Sequence, residues 1–233
     1  MKSKNPNRTA TVVVVAGGSG RRMYGPVRKQ YLPVADEPIL IRTLRVFDAC
    51  RVIRRIILVV PPDDVEYCDH QYLSRVDFTK PIRVVPGGPE RQASVYQGLL
   101  ALAKEDDWVV IHDAVRPFIT AKEIEACLNG AMESGACIVA IPVLDTVKEV
   151  DTDNQIVQTI SRDGLWLAQT PQAFSVPLIL DAHERALQEG IIGTDDAALL
   201  ERMGIGVRVV PGSRRNIKIT TPEDLELAEA LIK

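Results

Sequence analysis

A repeated alternation constrains this chain more than any other feature. Short β-branched runs are each followed by a longer amphipathic run. The apolar runs at 11–16, 55–60, 82–86, 108–112, 136–142 and 206–210 are short enough for strands and nearly continuous in hydrophobicity. The stretches 38–49, 63–74, 90–104, 120–132 and 177–189 carry helical periodicity. Two helix starts are signalled locally. "TAKE" (Thr120 to Glu123) is a capping-box pattern, and "TPED" sets Pro222 behind a cap at Thr221. Strands that are apolar on both faces, separated by helices, predict an α/β domain: a mostly parallel sheet covered by helices on both faces.

One segment departs from this rhythm. "DTVKEVDTDNQIVQTISRDG" (Asp145 to Gly164) contains two alternating β-like runs around the turn-rich "DTDN". It predicts a hairpin inserted in the α/β pattern, with 143–164 as the full insertion. An isolated hairpin is marginal in water, so this one needs a surface. That surface is either its own domain or a second subunit, and the local sequence favours neither. The chain therefore divides into a polar, disordered N-terminus (1–10) and a single domain (11–233) carrying the insertion.

Composition matters here for what it excludes. The formal charge of −3 argues against a generic nucleic-acid binder, so any polyanion site must be a local cluster of Arg and Lys. "MKSKNPNRTA" lacks the apolar core of a signal peptide, and no apolar segment approaches the roughly 20 residues that span a membrane. Cys50, Cys68, Cys127 and Cys137 form no C-x-x-C pair and suit reduced, buried thiols in a cytoplasmic protein.

The first strand runs into "AGGSGRRM" (Ala16 to Met23). In open α/β sheets ligands sit beyond the carboxyl ends of the strands. Gly17, Gly18 and Gly20 let backbone N–H groups approach an anion, and Arg21, Arg22 and nearby Lys29 supply charge. A Walker A loop is excluded because no Lys–Ser/Thr pair follows. A dinucleotide loop is disfavoured because Met23 takes the third glycine position. Amides plus three cations suit a nucleoside triphosphate; a plain glycine turn with surface arginines is the alternative.

Further along, "VVIHDAVRPF" ends an apolar strand on His112, Asp113 and Arg116. Asp113 is a candidate Mg²⁺ ligand, since that ion favours one or two carboxylates plus substrate phosphates and water; capping the next turn is the alternative. His112 reads as structural, and three scattered histidines offer neither a zinc site nor a Ser–His–Asp triad. In "GGPERQASVYQGL", Ser94 lies early on a helix, where it can bond a ligand or backbone. "LAQTPQAF" and "GTDDAALLE" place Thr170 and Thr194 at loop–helix boundaries, and for Thr194 capping is the default. "NIKITTPED" sets Lys218 in a short strand, facing either solvent or the anion site.

In this order the segments resemble the 2-C-methyl-D-erythritol 4-phosphate cytidylyltransferases, over nearly the whole chain. The glycine–arginine–methionine loop indicates only a nucleotidyltransferase. "HDAVRPF", "DTVK", "SRDGLWLAQTPQ", "GTDDA" and "NIKITTPEDL" are more specific. The resemblance implies a Rossmann-like nucleotidyltransferase fold, with the hairpin as a β-arm that pairs two subunits into a homodimer. It implies transfer of a cytidylyl group from CTP to methylerythritol phosphate, with release of pyrophosphate, in non-mevalonate isoprenoid synthesis. It also implies roles: Arg22 and Lys29 steady the triphosphate and transition state, and Asp113 holds Mg²⁺. Arg162 and Lys218 orient methylerythritol phosphate, with Arg162 delivered from the partner's arm. Arg116, Thr146, Thr170 and Thr194 match further substrate positions, while Ala16, Gly17, Gly18, Gly88 and Ser94 match the nucleotide surround.

Three residues depart from the family pattern. Pro89 stands where an acidic residue is common near the base and ribose, and Arg28 replaces a proline before Lys29. The loop reads "AGG" where many members have "AAG". Ribitol 5-phosphate cytidylyltransferase is the nearest rival, disfavoured by "SRDGLW" and "GTDDA". A sugar-1-phosphate nucleotidyltransferase and a non-catalytic nucleotide-binding regulator are more distant ones.

Overall fold

The computed structural model of the chain describes residues 9–17 and 27–232. Seven strands among them form one sheet: β1 (Ala10–Val15), β4 (Ile53–Val60), β5 (Ile82–Pro86), β6 (Trp108–Asp113), β7 (Ala136–Pro142), β10 (Trp166–Ser175) and β11 (Arg208–Pro211), while β2 (Pro33–Val34) and β3 (Glu37–Pro38) pair apart from it. Their order is β11-β7-β10-β6-β1-β4-β5. β1 pairs in parallel with both β4 and β6, and β10 runs antiparallel between β6 and β7. The chain winds outward from β1 in both directions, so the crevice beyond the ends of β1 and β6 is the switch point where such sheets bind ligands.

The apolar strands sort their residues by parity. Val12 and Val14 of β1 face one core, which takes Leu40, Leu44 and Phe47 of α1 (Ile39–Ala49) and Ile124, Cys127, Leu128 and Ala131 of α4 (Ala121–Ser134). Val13 and Val15 face the other, with Val95 and Leu99 of α3 (Arg91–Leu100) and Ile179, Ala182 and Ala186 of α5 (Val176–Glu189). Both faces of β1 are thus covered, which is why its valine run needs no polar alternation. The capping box at Thr120 forms as predicted, its side chain accepting from Glu123 N while Glu123 reaches back. Asp224 N donates to Thr221 Oγ1, capping α7 (Pro222–Ile232).

Several predicted elements change. The 63–74 helix is broken into α2 (Val65–Gln71) flanked by short 3-10 turns, one of them Pro62–Asp64. β10 replaces the expected loop–helix boundary at Thr170. A proline disfavours a central strand, but the ladder to β7 is interrupted between Ala168 and Gln172, and pairing to β6 begins at Gln172. Pro171 falls in that gap, where no ladder hydrogen bond is asked of it. Lys218 lies in an extended segment with no strand partner, anchored by Ile219 N donating to Val115 O at 2.9 Å.

The inserted hairpin exists as β8 (Val147–Val150) and β9 (Ile156–Ile160), an antiparallel pair with no ladder to the main sheet. Residues 148–159 and 161–168 are all exposed, including Ile156 at 64% and Val157 at 60%. The hairpin does not lie on its own domain. The expected N-terminal disorder concerns residues of which 1–8 fall outside the described ones; β1 begins at Ala10. All four cysteines are free and buried. Among the described residues, no helix is long and apolar enough to cross a membrane.

Candidate active site

Asp113 ends β6 at the switch point and is buried. Its Oδ2 lies 2.7 Å from Lys218 Nζ and 3.6 Å from Arg116 Nε, and its Oδ1 lies 3.2 Å from Arg91 Nε. Burial opposes ionisation of this carboxyl, but Arg91, Lys218 and Arg116 outweigh it and hold its pKa well below the usual range. Lys218 comes into place because Ile217 and Ile219 pack beneath it with Val115, which turns the intervening side chain the other way. Of the two directions open to Lys218, the structure turns it toward Asp113 and the cavity beside it.

A cavity of about 210 Å³ opens over this cluster, lined among others by Asp113, Arg116, Thr170, Thr194 and Lys218. Thr170 Oγ1 accepts from Asp113 N at 3.1 Å and sits 3.1 Å from His112 Nδ1, while His112 Nε2 lies 3.1 Å from Arg116 O. Burial lowers the His112 pKa to about 4, so the ring is a neutral strut linking Thr170 to the Arg116 backbone. Arg116 Nη1 donates to Asn216 O at 2.8 Å, and its buried Nε has no hydrogen-bond partner among the described residues.

Thr194 is exposed into the cavity and does not cap. The cap of α6 (Asp196–Arg202) is Asp195, whose side chain accepts from Ala198 N. The loop ahead of α6 is tied down by Gln92, which accepts from Gly193 N and donates to Ile191 O. Sequence reasoning missed Arg91, Gln92, Gln172, Asp196 and Asn216. Arg91 stood in a quoted motif, at a helix start after paired glycines, but its two carboxylate partners lie 22 and 105 residues away.

Around the glycine turns the described residues are fewer. Arg22 and Gly18 lie outside them. Ser94 is buried, and its Oγ both accepts from Gly88 N and donates to Gly88 O, each at 3.2 Å. A Cβ on Gly17 or Gly87 would come within 2.8 or 2.7 Å of that oxygen. Ser94 therefore joins the two glycine turns, which need glycine for the close approach. Ala16 spends its N–H on Val59 O, and its carbonyl accepts from Gln30. Lys29 starts a 3-10 turn, Lys29–Tyr31, held on both sides. Gln30 is fastened to Ala16, Tyr31 stacks on Tyr72 at 4.8 Å, and Arg28 Nε pairs with Asp64 Oδ2 at 3.1 Å. Arg28 has φ −65°, the value a proline ring would impose. The ion pair thus restrains the turn where a ring is missing.

Arg162 and Thr146 are not brought to this cavity in their own chain. Both are exposed at the root of the hairpin, and Arg162 donates to Leu144 O. Among the described residues no cluster of three His, Cys, Asp or Glu could hold a metal. The donor set fits Mg²⁺ only in its one-carboxylate form, with Asp113 supplying an oxygen and the substrate phosphates and water completing the shell.

The fold and the site together define a Rossmann-like nucleotidyltransferase. The sequence profile of IspD, 2-C-methyl-D-erythritol 4-phosphate cytidylyltransferase, matches residues 10–233. An enzyme of that name from Syntrophus aciditrophicus is 48% identical over 221 residues, covering 95% of this chain and 94% of the relative. One from Geobacter metallireducens is 48% identical, covering 95% and 96%. The crystal structure of 4-diphosphocytidyl-2C-methyl-D-erythritol synthase from Anaerococcus prevotii superposes with a TM-score of 0.86 at 35% identity, covering 97% of this chain and 96% of the other. This chain belongs to the 2-C-methyl-D-erythritol 4-phosphate cytidylyltransferase family.

Proposed function

We propose that the cavity beyond β1 and β6 is where this chain, a cytidylyltransferase, joins CTP to 2-C-methyl-D-erythritol 4-phosphate. The products are 4-diphosphocytidyl-2-C-methyl-D-erythritol and pyrophosphate, on the way to isoprenoid precursors. The observation that carries the site assignment is the Asp113 carboxylate at the strand end, ringed by Lys218, Arg116 and Arg91. An acceptor phosphate monoester is already substantially ionised near neutral pH, so its oxygen needs no general base to attack the α-phosphate. The P–O bond to pyrophosphate breaks as the new one forms. What the protein must supply is charge and alignment.

Lys218 and Arg116 receive the acceptor phosphate, and Thr170 and Thr194 border its polyol. Lys29, held by its anchored turn, and Arg22 steady the triphosphate and the departing pyrophosphate. Gly17, Gly18, Gly88 and Ala16 shape the nucleotide surround, with Ser94 bracing two of those turns. Mg²⁺ would be held by Asp113 with phosphate oxygens, and it would neutralise charge on the triphosphate. Arg162 and Thr146 complete the acceptor side from the arm of a second subunit. The exposed arm, with Leu144 at 54%, Ile156, Val157 and Trp166 at 42%, supports a homodimer. The buried free thiols fit a reducing cytoplasm.

Purified protein given CTP, Mg²⁺ and either methylerythritol phosphate or ribitol 5-phosphate tests this reading by pyrophosphate release. Release with methylerythritol phosphate is expected. Release with ribitol phosphate alone overturns the acceptor, and release with neither leaves a nucleotide-binding regulator.

A further inference from the structure

Arg91 is the first residue of α3, and its guanidinium is shared between two carboxylates from distant parts of the fold. Nε lies 3.2 Å from Asp113 Oδ1 and Nη2 lies 2.8 Å from Asp196 Oδ2. Asp196 is itself buried and has His183 Nε2 3.3 Å from its other oxygen. Two buried carboxylates meeting one planar fork form a rigid unit, because Arg can address both at once while the point charge of a lysine addresses one.

We infer that Arg91 is a positioning residue for cytidylyl transfer, clamping the end of β6 to the start of α6 so that Asp113 and Thr194 face the same cavity. The inference rests on the site proposed above. Its geometry has two consequences. Arg91 occupies Oδ1 of Asp113, so Oδ2, beside Lys218 and Arg116, is the oxygen left to exchange partners as phosphates arrive. Arg91 and Gln92 also grip the 191–196 segment on both sides of Thr194, Gln92 at Ile191 and Gly193 and Arg91 at Asp196. Asp196 does not line the cavity, yet it belongs to the same mechanical unit.

The test compares Arg91→Ala, Arg91→Lys, Asp196→Asn and the double variant Arg91→Ala/Asp196→Asn. Arg91→Ala and Asp196→Asn are each expected to lower kcat by about tenfold or more, with KM for CTP moving by less than about threefold. The double variant should be no slower than the worse single one, since the residues act as a unit. Arg91→Lys should recover part of the loss. Millimolar guanidinium should rescue Arg91→Ala but not Asp196→Asn, a response a merely structural role does not produce. Independently of activity, the Arg91 Nε–H should exchange slowly in the wild type and faster in Asp196→Asn, as seen by ¹⁵N NMR. Fast exchange in the wild type would overturn the clamp. Unchanged kcat, additive losses, or losses that track the urea midpoint without rescue would overturn the positioning role. An inactive wild type would remove the reaction itself, and the role with it.

Discussion

The end of β6 and the inserted arm treat their side chains in opposite ways. At Asp113, three cations from α3, the β6 turn and the 217–220 segment converge on one buried carboxylate, so positive charge is left in excess within a single chain. Along 144–168, aliphatic and aromatic residues stand in solvent, and the two strands hold only each other. The first region gathers its charges from its own chain. The second is complete in its backbone pairing and lacks a surface. A monomer therefore builds the cluster around Asp113 by itself, but it leaves Arg162 and Thr146 away from it.

The largest expected effect tests the first region. Lys218→Ala should lower kcat/KM by about a hundredfold, the scale of one lost electrostatic stabiliser. Steady-state pyrophosphate release measures it, and a loss below about threefold would remove Lys218 from the site. The second test uses pH. His112 has its pKa lowered to about 4 from an ordinary 6.5, so below 6.5 the unfolded chain takes up the proton first. The stability due to the neutral ring is fully present above that value and is lost as pH falls towards 4, by about 3 kcal/mol. Urea unfolding at pH 7 and pH 4 should show this drop, and His112→Gln should flatten it. The depressed carboxylates of Asp113 and Asp196 add their own losses only below about pH 3.8.

The arm yields the next two. Mixing inactive Arg162→Ala and Lys29→Ala subunits should restore roughly a quarter (random mixing) to about a half (heterodimer alone) of wild-type activity if Arg162 works across the interface. Heterodimers that form and stay inactive would break the contrast between the regions. The smallest effect is on the arm within one chain. At dilutions where sedimentation finds monomer, Val157→Ala should change unfolding free energy by less than about 0.5 kcal/mol, as for an exposed site. A larger loss would mean that the arm packs on its own domain after all.

Much of the fold was legible because the signals were local. The parity of the valine run, the cap at Thr120 and the cap at Thr221 each depend on residues a few positions apart. β10 was not legible, since Pro171 reads as a strand breaker until the gap in the β7 ladder is known. Local sequence made capping the default for Thr194, but Asp195, one position later, takes that role with a carboxylate. Asp113 could be singled out at a strand end; its counter-charges could not be ranked. Lys218, 105 residues away, had two equal local readings, and Arg91 drew no notice inside its own motif.

By itself the sequence determined the layers, the glycine turns after two strands, the inserted hairpin and, through its motif order, the family. Those follow from periodicity and short-range chemistry, which any stretch of chain carries with it. The tertiary structure alone decided which charges meet Asp113, that Ser94 braces glycines, and that the arm finds no support in its own chain. These are through-space pairings, some between segments about a hundred residues apart. Their partners are chosen by how the sheet winds, and no local pattern records that path.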